Sequence, residues 1–491
     1  VPSVATAIPE GPEDGTPEWW QRELTNYLKT REEANRQFAD PAFQLRLAEQ
    51  SLANSTASRE FQDEHGFINR GNLCYHWSET CAGDPWRYPG VDPFYDEVGN
   101  FTEVLFFDRD CARISGRVWA PLDAEPGDDL PGVVITNGSV QAPEPLYWWA
   151  AQALVRAGYV AMTYDPRGQG RSDTSTPDGT QGSNANPEVF WNGTVDAIDL
   201  FHSTPDQPYP HNETCAASVP AQYALPAAAP FNPHHAVLDR DRLGLAGHSL
   251  GATGVTTVQA MDPWEGRLAA ENPVDVIVAW DSLRADFVPR VPAMGQSGEY
   301  GLVNVPFGTS PDPEDHKAAF TAWEEAGQPV MQFTIQGSTH YEWSLIPSRP
   351  VVNFSSTSWV DWGRPMAEHH TVAWFDRWLK LPHEPGYADA DARLLDDAQF
   401  CERFSFYFRS ARNFPDRAGT QHVDGDIRAS CLAGDAASPA NPDPDPDPGS
   451  DRGVDADADE LPATGGGIGP YALVAVILAV GAASRRVRFR T

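Results

Sequence analysis

Asp241–Thr253, D-R-L-G-L-A-G-H-S-L-G-A-T, limits the fold more than any other stretch of the chain. Leu243, Leu245 and Ala246 form a short apolar run that predicts a strand, and the small residues from Ala252 onward predict a helix. Between them stands Gly247-His248-Ser249-Leu250-Gly251, a G-x-S-x-G turn in strand–turn–helix context. A serine lifted to the tip of so sharp a bend has an exposed hydroxyl and a strained backbone. No bulky side chain fits two positions to either side, which accounts for the glycines. The helix that begins there points its first N–H groups at the serine, where negative charge could be held.

The flanking chain supplies the sheet and helices that such a turn needs. G-V-V-I-T (132–136) is a continuous apolar run suited to a central parallel strand. Tyr159–Tyr164, V-D-V-I-V-A-W (274–280), V-P-A-M-G (291–295) and P-V-M-Q-F-T-I-Q-G (329–337) predict further strands. Leu146–Ala157, Glu188–Ser203 and the stretch around T-V-A-W-F-D-R-W-L-K predict helices. Strands alternating with helices define the α/β class. A serine hydroxyl is a poor nucleophile near neutral pH. It needs a histidine to take its proton, and a carboxylate to fix the imidazole tautomer.

From about Cys111 to Lys380 the chain resembles the α/β-hydrolase family, and more narrowly its secreted actinobacterial members. The resemblance implies the α/β-hydrolase fold, a mostly parallel central sheet flanked by helices. It makes Ser249 the nucleophile and draws oxyanion-hole N–H groups from Leu250 and from Ser139, in the Asn137-Gly138-Ser139 turn after the 132–136 strand. Many relatives carry His-Gly where this chain has Asn-Gly, which leaves the second donor open by one position. Asp165-Pro166-Arg167-Gly168-Gln169-Gly170-Arg171-Ser172 matches a loop of the family that orders the backbone beside the site. The family order Ser, acid, His places the base at His340, in a G-x-x-H turn after the last clear strand. His369 and His370 compete but open the closing helix, and His248 is expected to pack away from the serine hydroxyl. Three carboxylates compete for the acid. Glu299, after the 291–295 strand, fits by order and is the first choice; Asp281, ending V-I-V-A-W-D, is the alternative acid; Asp286 is a third option.

Composition narrows the partners. A net charge of −34 disfavours nucleic acid and anionic lipid. Six cysteines, Cys74, Cys81, Cys111, Cys215, Cys401 and Cys431, suit disulfides in an exported protein; Cys74–Cys81 and Cys401–Cys431 are the pairings spacing favours. No C-x-x-C or Cys/His cluster supports zinc, His234-His235 lacks a visible third ligand, and no cofactor is expected. The chain opens on Val-Pro-Ser without a basic n-region or apolar h-region, as when a signal peptide has been removed or the sequence starts inside a longer one.

The expected organisation is an N-terminal helical and loop extension (1–100), a catalytic domain (101–385) with an insertion at 204–240, and a C-terminal extension (386–435). The Pro/Ala/His-rich insertion reads as a lid or loop near the site. A Pro/Asp-rich linker (436–460) cannot bury a core and reads as disordered. The last segment (461–491) joins Leu461-Pro462-Ala463-Thr464-Gly465, an apolar run from Ile468 to Ala483, and an arginine cluster. It resembles a Gram-positive wall-sorting signal, cut by sortase between Thr464 and Gly465 and joined to peptidoglycan, with the short apolar run tethering the chain in the membrane beforehand. The expectation is a wall-displayed serine hydrolase of small-molecule or lipid-like carboxylic esters. Its rivals are a surface acyltransferase or peptidase with the same triad, and a catalytically silent hydrolase-fold adhesin. Tyr147, Trp148, Trp149, Trp191 and Trp343 are either walls of an apolar acyl or aryl pocket or part of the core.

Overall fold

Ten strands form one sheet in the order β1-β2-β4-β3-β5-β6-β7-β8-β9-β10. They are β1 (Gly99–Phe107), β2 (Arg113–Pro121), β3 (Leu130–Thr136), β4 (Val160–Tyr164), β5 (Leu238–His248), β6 (Val274–Trp280), β7 (Ala293–Gly298), β8 (Val330–Ile335), β9 (Ala411–Pro415) and β10 (Gln421–Asp424). The protein is described here by a computed structural model covering residues 16–21, 24, 41, 45, 87, 89–90, 92–139, 143–182, 186–215, 227–281, 283–299, 312–344 and 363–437. Residues 1–439 group as one compact unit and 440–491 as another, the second outside the described residues. Most of the predicted helix at 17–52, Cys74, Cys81, part of the 204–240 insertion and the whole sorting segment with Thr464 and Gly465 also lie outside them.

The middle of the sheet is parallel. β4, β3, β5, β6, β7 and β8 run side by side in one direction, whereas β1, β2, β9 and β10 join antiparallel at the flanks. Parallel strands need both faces covered, because the crossovers that return the chain lie on the faces. Helices α1 (Trp148–Arg156) and α5 (Arg364–Leu379) cover one face, where Trp148, Trp149, Trp374 and Phe375 meet Ile135, Val278 and Phe333. Helices α2 (Glu188–His202), α3 (Leu250–Gln259) and α4 (Ala318–Glu325) cover the other, with Val195, Val255 and Phe320 against Val134, Leu245 and Ile277. This mostly parallel, doubly covered sheet is the expected α/β architecture.

Two features extend the reading from sequence. β7 runs to Gly298, past the expected end at 295, so Gln296, Ser297 and Gly298 are strand rather than loop. The 386–435 segment adds β9 and β10 to the same sheet, followed by helix α6 (Ile427–Ala437). Cys401–Cys431 ties that helix to the 3-10 turn Ala398–Arg403, as spacing favoured, and Cys111–Cys215 ties the β1–β2 loop to the segment after α2. The second pairing spans a sequence separation of 104, which no local spacing reveals. Among the described residues no helix is long and apolar enough to cross a membrane.

Candidate active site

Because the six central strands are parallel, their carboxyl ends share one rim, and loops there converge. β5 ends in the glycine turn. Ser249 sits at φ 59° and ψ −121°, in the left-handed half of backbone space that non-glycine residues avoid. A side chain at Gly247 would run into the carbonyl of Gly251, and one at Gly251 into the carbonyl of Thr136 at the end of β3. The two glycines thus let the elbow close and lie against β3. Helix α3 starts at Leu250, so its first amides have no acceptor inside the helix and face the rim.

Three side chains meet above this turn. His340 Nε2 lies 2.8 Å from Ser249 Oγ, and His340 Nδ1 is hydrogen-bonded to Asp281 Oδ2. Asp281 follows β6 directly, itself at a positive φ of 52°, which swings its carboxylate toward the β8 turn. Its other oxygen accepts the Gly298 N–H at 2.9 Å. Burial alone would raise the Asp281 pKa. The neighbouring His340, by charge and hydrogen bond, and the Gly298 amide overcome that and hold it below the ordinary carboxylate value.

Glu299, the first choice for the acid, does not reach the imidazole. It is buried at the end of β7, where one carboxylate oxygen accepts the Gly337 N–H at 2.5 Å and the other the Ser405 hydroxyl at 2.6 Å. The extra length of β7 explains the difference, since it carries Glu299 beyond the imidazole and under the turn that bears it. Asp286 is exposed and paired with Arg284 rather than with His340. The alternative, Asp281, is therefore the carboxylate on His340.

The oxyanion side is narrowed by one hydrogen bond. The Gly138 N–H donates to the Tyr147 hydroxyl at 3.0 Å. Gly138 is thus engaged, whereas Ser139 and Leu250, the expected donors, follow the carboxyl ends of the neighbouring strands β3 and β5. The Asp165 loop fixes the turn's approach: Asp165 accepts from Asn137 Nδ2 at 3.0 Å, Glu144 N at 2.7 Å and Arg171 N at 2.9 Å. Burial, reinforced by Glu144, pushes the Asp165 carboxyl up to about 7.

His248 also participates in a way the sequence did not disclose. It is buried between the Tyr147 hydroxyl, 2.7 Å from Nδ1, and the carbonyl of His340, 2.7 Å from Nε2. Burial, aided by repulsion from His340, lowers its pKa to about 3. His248, Asp281 and His340 could bring one ligand atom each within 4.8 Å, the only such trio among the described residues. Both nitrogens of His248 are nonetheless spent on Tyr147 and a carbonyl, and those of His340 on Ser249 and Asp281, so the trio fits a hydrogen-bonded triad better than a metal centre.

The other histidines weighed from the sequence take structural partners. His234 Nε2 lies 3.1 Å from Thr102 Oγ1, His235 Nδ1 3.0 Å from the carbonyl of Asn232, and His369 Nε2 3.0 Å from that of Arg393. His370 is buried, its Nδ1 2.8 Å from the Met366 carbonyl. Tyr147, Trp148, Trp149 and Trp343 are all within the core rather than on a pocket wall, and Trp191 packs half-buried on the opposite face. Their indoles support the site from beneath: Trp149 Nε1 donates to the Trp343 carbonyl at 2.9 Å and Trp343 Nε1 to Gln296 at 2.9 Å.

No family model matches the chain. No curated protein matches it. Among solved structures it is similar to the esterase Pf2001 of Pyrococcus furiosus, at 10% identity and a TM-score of 0.35 over 57% of this chain and 94% of that one. It is also similar to the ferulic acid esterase of Streptomyces cinnamoneus, at 12% identity and a TM-score of 0.34 over 62% of this chain and 97% of that one.

Proposed function

We propose that the chain is a serine hydrolase that cleaves carboxylic esters through an acyl-enzyme. The observation that carries this reading is the continuous link from Ser249 Oγ through both nitrogens of His340 to Asp281. Asp281, kept ionised, selects the tautomer in which Nδ1 carries the proton and Nε2 is free to accept one. His340 then takes the Ser249 proton as Oγ bonds to the substrate carbonyl carbon. The carbonyl electrons move to oxygen, and the amides of Leu250 and Ser139 hold that oxyanion, each worth roughly 3–4 kcal/mol in the transition state. The carbon–oxygen bond to the alcohol breaks as His340 returns its proton to the leaving oxygen. Water, deprotonated by the same imidazole, adds to the acyl-enzyme, and the carboxylic acid departs as Ser249 recovers its proton.

The same reading puts the protein at the cell surface, supported by the resemblance of residues 461–491 to a wall-sorting signal. In this reading sortase cuts between Thr464 and Gly465 and links the chain to peptidoglycan. Wall-released protein should end at Thr464 by mass analysis; intact chain found only in membranes counts against it.

The test of the enzymatic reading is hydrolysis of a panel of p-nitrophenyl esters and aminoacyl amides together with fluorophosphonate labelling. Wild type is expected to turn over at least one ester and to label at Ser249, and Ser249→Ala to do neither. A folded wild type that stays unlabelled and inert would favour the non-catalytic adhesin, and turnover confined to aminoacyl amides the peptidase.

A further inference from the structure

Four groups connect the two halves of the site through the protein interior. The Gly138 N–H donates to the Tyr147 oxygen at 3.0 Å, Tyr147 faces His248 Nδ1 at 2.7 Å, and His248 Nε2 faces the His340 carbonyl at 2.7 Å. Chemistry sets the direction. A carbonyl only accepts, so Nε2 carries the His248 proton. In a neutral ring Nδ1 must then accept, so the Tyr147 hydroxyl donates to it. The phenol oxygen remains an acceptor for the Gly138 amide, and each bond is donor to acceptor without conflict.

The rings are packed among aromatic neighbours, His248 tilted by 35° to His340 and by 50° to Tyr147. Tyr147 lies parallel to Trp280, with centroids 6.3 Å apart and planes at 2°. The His248 and His340 rings lie 4.7 Å apart. Tyr147 and His248 are both almost wholly buried, so solvent cannot replace a broken bond cheaply.

We infer that Tyr147 and His248 are positioning residues, forming a relay that sets the backbone of the catalytic base at His340 in register with the oxyanion turn at Gly138-Ser139. The inference rests on the serine-hydrolase reading for its consequence in rate, and on geometry alone for the relay. His248 takes no part in proton transfer: its place beside the developing imidazolium disfavours a second charge, in keeping with its low pKa of about 3. Its role is to hold the His340 main chain at a fixed height over Ser249, where a displacement of about 1 Å can cost on the order of 100-fold in rate.

The test combines variants with a tautomer measurement on the full chain. His248→Phe removes both bonds and should lower kcat by about 10- to 100-fold, with KM nearly unchanged. His248→Gln, which offers one acceptor and one donor, should recover most of that loss. Tyr147→Phe should cost about three- to tenfold, and the double variant with His248→Phe should be no worse than His248→Phe alone. Urea unfolding confirms that each variant is folded. A folded His248→Phe with wild-type kcat, failed recovery in His248→Gln, or losses that multiply in the double variant would overturn the relay. ¹⁵N NMR of histidine-labelled protein reads the same relay without turnover. The resonances absent in His248→Gln should report, in wild type, a neutral ring protonated on Nε2; an Nδ1–H tautomer, or a charged ring at neutral pH, overturns the assignment. Failure of the hydrolase reading shows separately, as wild type that neither labels nor turns over an ester while the tautomer still decides the relay.

Discussion

Asp281 and Glu299 separate two jobs that the linear sequence leaves entangled. Both carboxylates follow apolar strands, and both come between the serine and the histidine in the order the fold requires. Only the strand tips decide between them, because Asp281 swings back at a positive φ whereas β7 continues straight and buries Glu299. Asp281→Asn tests the assignment cleanly, since asparagine also tolerates left-handed backbone. The amide cannot hold Nδ1 as a charged acceptor does, and kcat should drop by roughly 10³–10⁴-fold in a folded protein. Glu299→Gln should instead keep kcat within about tenfold and lower stability by about 1–3 kcal/mol, because Gly337 or Ser405 loses a buried acceptor. Ester kinetics and urea unfolding on the two variants check this; the reverse pattern would return the role to Glu299. Ser249 and His340 were legible because their motifs are local, a glycine bend and a turn after a strand. The acid was not, because its partner is chosen by tertiary geometry that no short pattern encodes. Tyr147 and His248 left one weak signal, a bulky polar residue inside the elbow.

At the scale of elements, the apolar runs of β3, β4, β6 and β8 were legible because strands buried on both faces exclude charge almost throughout. β9 and β10 were not. A-R-N-F-P and Q-H-V-D are short and polar, and they become strands only by pairing with β8 and with each other. This flank nevertheless supports the site. The Ser405 amide donates to Thr334 in β8 at 2.8 Å, and its hydroxyl steadies Glu299 under the His340 turn. Arg428 in α6 donates to the carbonyls of Cys401 and Phe404, at 2.7 and 3.0 Å, beside the Cys401–Cys431 bridge. Replacing both cysteines by serine should therefore lower stability by about 2–4 kcal/mol, seen as a lower urea midpoint, while kcat under strongly native conditions stays close to wild type. A collapse of kcat without loss of stability would contradict this division of labour.

For the molecule as a whole, two apolar layers enclose titratable groups and favour their neutral forms. His370 is the clearest: buried among Phe333, Phe400 and Phe404, its pKa is lowered by burial and by His369 from 6.5 to about 3. The unfolded chain protonates at the ordinary value and the folded ring resists, so stability falls as pH drops through the window between them. By pH 5 this one ring accounts for about 2 kcal/mol. Asp165 and Asp196, both pushed up to about 7 by burial, act in the opposite sense, since the folded state holds their protons longer. The wild-type profile blends the two, but His370→Phe isolates one. Its stability should change less between pH 7 and pH 5 than that of wild type, by about 2 kcal/mol, in paired urea titrations. Equal slopes in the two proteins would show that the ring is hydrated and charged in the fold.

The shared direction of the central strands puts their amino ends at the opposite edge of the sheet from Ser249. The exposed bends around Gly127 before β3, Glu271 before β6 and Gly327 before β8 lie at the starts of strands whose ends carry Ser139, Asp281 and His340. Epitope tags, fluorophores or surface tethers grafted at those bends would ride a sheet's length from the serine, making that edge the natural handle for immobilising the protein with the Ser249 rim facing outward.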